Sequence, residues 1–158
     1  MPVEIGMPAP LFSLYDNDKN KVNLGDQRGK NVLLLFIPFA FTSVCTKELC
    51  GIRDNIAFYN NSNAQVFGIS VDSLYVLNKF RTEQGLNFPL LSDFNKEVSG
   101  AYDSLYEIYP SFEYRGVSKR SVFVIDKAGM IRHREICARS GDMPDFEAVQ
   151  QVLSSLEQ

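Results

Sequence analysis

No part of the sequence is apolar for long enough to cross a bilayer. The longest hydrophobic run, Val32–Phe41, has ten residues and contains Pro38, about half of what a spanning helix needs. The opening residues MPVEIGMPAP lack a cationic start followed by an apolar core, so no secretory leader is read there. With neither signal, the expected location is the cytoplasm and no membrane contact is expected. A basic surplus is missing too. The chain has 16 Lys and Arg against 19 Asp and Glu, a net charge of −3, which gives no electrostatic footprint for nucleic acid or an anionic membrane. Histidine occurs once, at His133, and cysteine three times, at Cys45, Cys50 and Cys137. So small and odd a count does not fit the disulfide framework of a secreted domain. A zinc site drawn from all four residues fails on spacing. Cys45 and Cys50 lack the usual gap of about two to four residues, and nothing pairs Cys137 with His133 on a knuckle. No metal and no cofactor is expected. Repeats, low-complexity tracts and linkers are absent. The 158 residues are therefore read as one domain, 1–158, long enough to bury roughly two-thirds of its unfolded surface.

What is present is an alternation of strand and helix signals. Pro2, Pro8 and Pro10 keep the first ten residues extended. Residues 11–15 and 22–24 read as a short hairpin around the polar turn 16–21, followed by a polar connector over 25–30. VLLLFI, 32–37, is a continuous apolar strand of the kind buried on both faces in an α/β sheet. After the loop at Pro38, Leu49, Ile52, Ile56 and Tyr59 recur at helical spacing, and Asn60–Asn63 ends that helix. QVFGISV, 65–71, is a second buried strand, so a right-handed parallel βαβ unit is expected. Asp72 or Ser73 caps a further helix that stops near Gly85. A short extended piece at 88–91, a brief helix over 95–105 and an aromatic loop over 109–118 follow. SVFVID, 121–126, and 130–136 then make a hairpin around Lys127-Ala128-Gly129. A final helix carries Phe146, Val149 and Leu156. This order is that of a thioredoxin-like α/β fold. It has an N-terminal β-hairpin extension at 11–24 and an insertion at 86–118 before the final β-hairpin and helix.

The chemistry concentrates on residues 33–53. Cys45 lies where a central strand gives way to a helix, the end of an open sheet at which α/β proteins place their sites. Backbone N–H groups at a helix start, here near Val44 and Cys45, favour a thiolate over a thiol. The Thr42 hydroxyl, three residues earlier, can reach back to the sulfur or to a bound oxygen. Pro38 shields the sulfur from bulk water and offers no competing N–H. The cation that such a thiolate needs is best supplied by Arg120, at the start of the 121–126 strand.

The run Pro38-Phe39-Ala40-Phe41-Thr42-Ser43-Val44-Cys45 resembles the P-x-x-x-T-x-x-C signature of the peroxiredoxins. Arg120 in KRSVFVID matches the position of that family's active-site arginine. The resemblance implies a thiol peroxidase in which Cys45 is the peroxidatic cysteine. Thr42 and Arg120 would hold the oxygens of hydrogen peroxide or an organic hydroperoxide, with Glu48 in a supporting role. The spacing of Cys45 and Cys50 resembles the Q-type (bacterioferritin-comigratory) group and implies that Cys50 resolves the sulfenic acid as an intramolecular disulfide, recycled by a thioredoxin-like reductant. GVSKRSVFVID and FAFT resemble instead the E-type alkyl hydroperoxide reductase group, which includes one-cysteine enzymes resolved by an external thiol. In a regular helix, residues five apart have Cα atoms about 8–9 Å apart, facing about 140° away from each other. A disulfide needs them within about 7 Å, so a Cys45–Cys50 bond requires the first helical turn to unwind. Gly51 weakens the helix there.

Other readings stay beside this one. A dithiol oxidoreductase generally carries C-x-x-C at the helix start, which is absent, and a redox sensor or interaction module oxidised at Cys45 is the remaining class. Cys137 reads as a structural core residue and His133 as a side chain pointing off the hairpin. Phe39, Phe41, Tyr109, Phe112 and Tyr114 form either ordinary packing, an apolar rim for organic peroxides, or the face of a homodimer. A monomer and a homodimer are both compatible with the sequence.

Overall fold

A computed structural model describes residues 2–157. In chain order its strands and helices are β1 (Ser13–Asp16), β2 (Lys21–Asn23), β3 (Asn31–Phe36), α1 (Ser43–Asp54), α2 (Ile56–Asn61), β4 (Ala64–Ser70) and α3 (Leu74–Gln84). They continue with β5 (Leu90–Ser92), α4 (Glu97–Ala101), β6 (Leu105–Ile108), β7 (Arg115–Ser118), β8 (Ser121–Ile125), β9 (Ile131–Ile136) and α5 (Phe146–Leu156). All six residues of β3 are buried. This fits a strand with no polar face, since successive side chains point to opposite sides of a sheet. Leu33 and Leu35 enter one core with Leu49 and Ile52 of α1, Leu77 and Phe80 of α3, and Val149 and Leu153 of α5. Val32, Leu34 and Phe36 enter a second core with Phe67, Phe123, Tyr102 and Val98.

The main sheet has the order β2-β1-β5-β4-β3-β8-β9. β3, β4 and β5 are parallel, from Asn31↔Ala64 to Phe36↔Ile69 and from Gly68↔Leu90 to Ser70↔Ser92. Two βαβ units are therefore fused. β8 lies antiparallel on the other side of β3, and β9 is its hairpin partner. The N-terminal hairpin joins the same sheet, since β1 pairs antiparallel with β5.

Three local features differ from the expectation. The helix that follows Cys45 is broken at Asn55, whose N–H turns back to the Ile52 carbonyl at 3.1 Å. The side chain of Asn87 donates to the Arg53 carbonyl at 3.2 Å at the same point. The apolar stripe nevertheless survives the break, because Leu49, Ile52 and Tyr59 are all buried in one core. The connector at 25–30 contains a 3-10 turn, Leu24–Gln27. In the insertion, the brief helix is only Glu97–Ala101 and the loop expected over 109–118 is largely a hairpin, with Leu105↔Ser118 and Ile108↔Arg115 paired. Asp93 starts α4 by accepting from the N–H groups of Val98 (3.1 Å) and Ser99 (2.6 Å). Left-handed Asp103 (φ 54°) then ends the helical segment early. β6 is half exposed along its length, so it carries no apolar alternation by which a strand is recognised.

β3 supplies both cores and therefore sets the fold's stability. Leu35→Ala is expected to cost about 2–5 kcal/mol, read as a lowered urea midpoint with an unchanged slope. A loss under about 0.5 kcal/mol would contradict the packing described.

Candidate active site

The chain leaves β3 through a loop that is held at several points. Ile37 extends the sheet with an N–H bond to the Ile69 carbonyl, 2.9 Å, and Pro38 follows, buried. Ala40 donates its N–H to Asp72 Oδ2 at 2.8 Å. Phe41 takes a left-handed backbone (φ 69°), uncommon for a bulky residue, and its ring packs on Phe80 with centroids 5.0 Å apart. Thr42 occupies the N-cap of α1 in extended conformation. Ser43, Val44 and Cys45 then form the first turn, whose N–H groups lack intrahelical acceptors. Cys45 thus sits inside the helix start, fully buried, rather than in the loop before it. Thr42 is exposed and its hydroxyl donates to the Phe39 carbonyl at 3.0 Å. In this conformation that hydroxyl braces the loop and makes no bond to the sulfur.

Register explains how a residue 75 positions away reaches Cys45. β8 runs antiparallel to β3 with Phe36 opposite Ser121. The residue just before β8 therefore lies at the end of β3 from which the Cys45 loop departs. That residue is Arg120, itself 2% exposed. All three of its donor groups are used. Nη2 donates to Cys45 Sγ at 3.2 Å, Nη1 to Glu48 Oε1 at 2.7 Å, and Nε to the Ser140 carbonyl at 2.9 Å. Burial works against the guanidinium charge, but Cys45 and Glu48 outweigh it and hold the Arg120 pKa above its ordinary value.

Glu48 lies one turn beyond Cys45 with its side chain fully buried. Only Oε1 is bonded; Oε2 is buried without a partner. Burial is the largest influence on this carboxyl and outweighs the attraction of Arg120, moving its pKa from 4.5 up to about 7. Glu48 therefore changes charge near neutrality. Ser140 was not among the residues picked out in the sequence. It contributes only a backbone carbonyl, and a carbonyl leaves no mark on residue type. Asp72, foreseen only as a possible helix cap, is instead the acceptor for Ala40, while Ser73 caps α3 by accepting from the Val76 N–H at 3.3 Å.

Cys50 is half buried in α1 with its thiol 3.6 Å from Gln84 Oε1, and the helix runs unbroken through both cysteines. All three cysteines are free thiols. Cys137 is buried just beyond β9, and its N–H donates to the Arg120 carbonyl at 2.9 Å. Burial, reinforced by Glu135 and Glu48, pushes its thiol up to about 11, so it stays protonated at neutral pH. His133 does not point away from the protein. It is half buried beside Glu135 at 3.7 Å. Among the described residues no three His, Cys, Asp or Glu side chains gather as metal ligands. Phe39 packs edge-on against Tyr109 and Tyr114, with centroids 5.6 and 5.8 Å apart, so the β6–β7 hairpin closes over the side of the loop. Among the described residues no helix is long and apolar enough to cross a membrane.

A helix-borne thiol facing a buried guanidinium, at the carboxyl end of a central parallel strand, defines a thiol-based oxidoreductase on a thioredoxin-like sheet. Solved structures share that fold. Peroxidoxin BcpB from Mycobacterium tuberculosis superposes with a TM-score of 0.82 at 26% identity, covering 98% of this chain and 96% of that one. Peroxiredoxin Q from Xanthomonas campestris superposes at 0.84 with 22% identity, over 99% and 98% of the two chains. Among relatives by sequence, alkyl hydroperoxide reductase E of Mycobacterium tuberculosis is 36% identical over 155 residues, 98% of each chain. Peroxiredoxin Bcp of Escherichia coli is 39% identical over 133 residues, 84% of this chain and 85% of its own. Residues 5–134 match the AhpC/TSA family. The chain belongs to that family and is a peroxiredoxin of the Q/E type, a thiol-dependent peroxidase.

Glu48 gives the site a signature in stability. Below about pH 4.5 both the folded and the unfolded chain carry its proton, and its contribution is full. Between about 4.5 and 7 the unfolded chain releases the proton first, so stability falls as pH rises, by roughly 3 kcal/mol, and levels off above about 7. Glu48→Gln is expected to remove this component. Denaturant titrations at pH 5, 6, 7 and 8 check it, and parallel pH profiles for the two proteins would count against the buried, proton-retaining carboxyl.

Proposed function

We propose that Cys45 is the peroxidatic cysteine and reduces both hydrogen peroxide and organic hydroperoxides, with Arg120, Thr42 and Pro38 forming its site. The observation that carries this reading is the 3.2 Å bond from Arg120 Nη2 to Cys45 Sγ. It puts a fixed positive charge where the thiolate stands and where negative charge moves during attack. The sulfur attacks one peroxide oxygen, an S–O bond forms and the O–O bond breaks. The electron pair leaves on the distal oxygen, which takes a proton and departs as water or an alcohol. Preorganised donors aimed at that oxygen are the expected main source of rate. The guanidinium is one, the free N–H groups near Val44 and Cys45 are others, and the Thr42 hydroxyl becomes one on turning from the Phe39 carbonyl. Glu48 holds the guanidinium in orientation.

The sulfenic acid on Cys45 then condenses with the Cys50 thiol, releasing water and forming a disulfide, which a thioredoxin-like dithiol reduces. The thiol must travel, because α1 is regular through both residues and the Cα atoms of such a pair lie about 8–9 Å apart. Gly51 is exposed and a Cβ there would meet no atom within 4 Å, so no side-chain packing at that position opposes its loss of helical conformation. The competing reading is resolution by an external thiol, favoured by the position of the Cys50 thiol against Gln84 rather than toward Cys45. A single domain in a reducing cytoplasm, as a monomer or a homodimer, completes the proposal.

Cys45→Ser is expected to abolish both rapid single-turnover oxidation and turnover with a thioredoxin system; undiminished peroxide consumption by this variant would remove Cys45 from the chemistry. Mass mapping after one equivalent of peroxide separates the two modes of resolution. A Cys45–Cys50 linkage supports the internal route, and its absence with turnover retained in Cys50→Ser supports the external one. Arg120→Ala is expected to slow the oxidation step by about 100-fold, and a rate within twofold of wild type would take the guanidinium out of the reaction.

A further inference from the structure

We propose that Asp72 is a positioning residue, whose carboxylate ties the Cys45 loop to the end of β4 and opposes the unwinding that brings Cys50 to Cys45. The two bonds that make the tether converge on a single atom. Asp72 Oδ2 accepts from the Ala40 N–H at 2.8 Å and from the Ser70 hydroxyl at 2.8 Å. The anchor is firm on its own side. The Asp72 N–H donates to Ser70 Oγ at 3.2 Å, and the Asp72 carbonyl accepts from Ser92 Oγ at 2.7 Å. Asp72 is thereby fixed to both β4 and β5, the rigid parallel part of the sheet.

The other restraints on the loop are ring contacts of Phe39 and Phe41 and the Thr42 hydroxyl on the Phe39 carbonyl, and the Ala40 N–H bond is the one that ties its backbone to β4. Ala40 lies midway between Pro38 and Thr42. Phe41 beside it has a left-handed backbone, a conformation that costs about 1–3 kcal/mol and persists only when its surroundings enforce it. With Ala40 pinned, the chain enters the N-cap at Thr42 in one direction, and the first turn of α1 presents Cys45 to Arg120. Burial raises the Asp72 carboxyl above its ordinary value, and the bonds from Ala40 and Ser70 pull in the opposite direction. The carboxyl is a partly desolvated group with specific partners, unlike a solvated surface acid.

The inference rests on the proposed roles of Cys45 and Cys50, and it assigns opposite signs to the two steps. Attack on peroxide needs the loop and first turn ordered; a misplacement of about 1 Å can cost about 100-fold. Disulfide formation needs the same turn to open. Removing the tether therefore slows the first step and hastens the second. A residue that merely contributes stability gives no such crossing of signs.

The test follows both steps in the full chain after mixing with one equivalent of hydrogen peroxide. Samples are quenched at intervals, and Cys45 thiol, sulfenic acid and Cys45–Cys50 disulfide are counted by mass spectrometry. Asp72→Ala is expected to slow thiol loss about 10–100-fold and to shorten the lifetime of the sulfenic acid. Asp72→Asn is expected to lie within about threefold of wild type in both steps, because one amide oxygen has two lone pairs and can take both bonds. Ser70→Ala removes one of the two converging bonds and is expected to shift both steps in the same directions by less. It also serves if Asp72→Ala does not fold. Wild-type oxidation rates in Asp72→Ala, or in Ser70→Ala where it must stand in, overturn the proposal, as does an Asp72→Asn variant as slow as Asp72→Ala. If Cys50 is not the resolver, no Cys45–Cys50 bond appears in any variant, which overturns the part of the proposal that concerns unwinding; slowed thiol loss in Asp72→Ala that Asp72→Asn restores then supports positioning for the attack step alone.

Discussion

A buried positive charge organises this protein. Arg120 is withdrawn from solvent at the carboxyl end of β3, and such a charge is tolerated only if its hydrogen-bonding groups are matched. The matching draws on two stretches of the chain, Cys45 and Glu48 in successive turns of α1 and the Ser140 carbonyl from the segment before α5, and on the β3–β8 register that puts Arg120 at the right end of the sheet. Removing one partner of a buried ion pair typically costs about 3–5 kcal/mol, because the other charge stays behind unpaired. The same arrangement that makes the sulfur's surroundings electropositive therefore also commits the helix start, the sheet and the 137–144 segment to one mutual geometry.

Glu48 and Cys137 show how differently the same surroundings act on groups of like chemistry. Both are buried near Arg120, and burial raises both. Glu48 touches the guanidinium and still comes to rest near neutrality. Cys137 shares only a backbone bond with Arg120 and remains a thiol at neutral pH. Of the two buried cysteines, Cys45 and not Cys137 receives the Nη2 donor.

The proposed reaction places two opposed requirements on the loop between β3 and α1. Peroxide chemistry is served by order, and Pro38, the Thr42 hydroxyl on Phe39, the Phe41–Phe80 contact and the Ala40–Asp72 bond supply it. Internal resolution is served by disorder, since a regular α1 keeps its two cysteines too far apart to bond. These restraints on the loop are few and local, each a single hydrogen bond or ring contact. Ala40, Cys45 and Phe80 belong to the core that Leu33 and Leu35 enter, so the order of the loop is coupled to the edge of that core.

The strand at 32–37, the helical stripe from Leu49 to Tyr59, the flanking βαβ unit and the closing hairpin could be read in advance, because hydrophobic periodicity is a local property. The P-x-x-x-T-x-x-C run pointed to Cys45 for the same reason, as its residues are neighbours in sequence. The β6–β7 hairpin could not be read, because its strands are half exposed and give no alternation. The break at Asn55 was hidden by an apolar stripe that continues across it. Nor could the sequence show that the Thr42 hydroxyl rests on Phe39, that His133 is tucked beside Glu135, or that Asp72 serves the active-site loop while Ser73 caps the helix. For these residues the type permits several partners, and only the packed chain selects one. The sequence by itself determined which thiol stands at a helix start and which arginine precedes a central strand. Tertiary structure decided that the two meet at 3.2 Å, because an antiparallel register between β3 and β8 converts 75 residues of separation into one hydrogen bond.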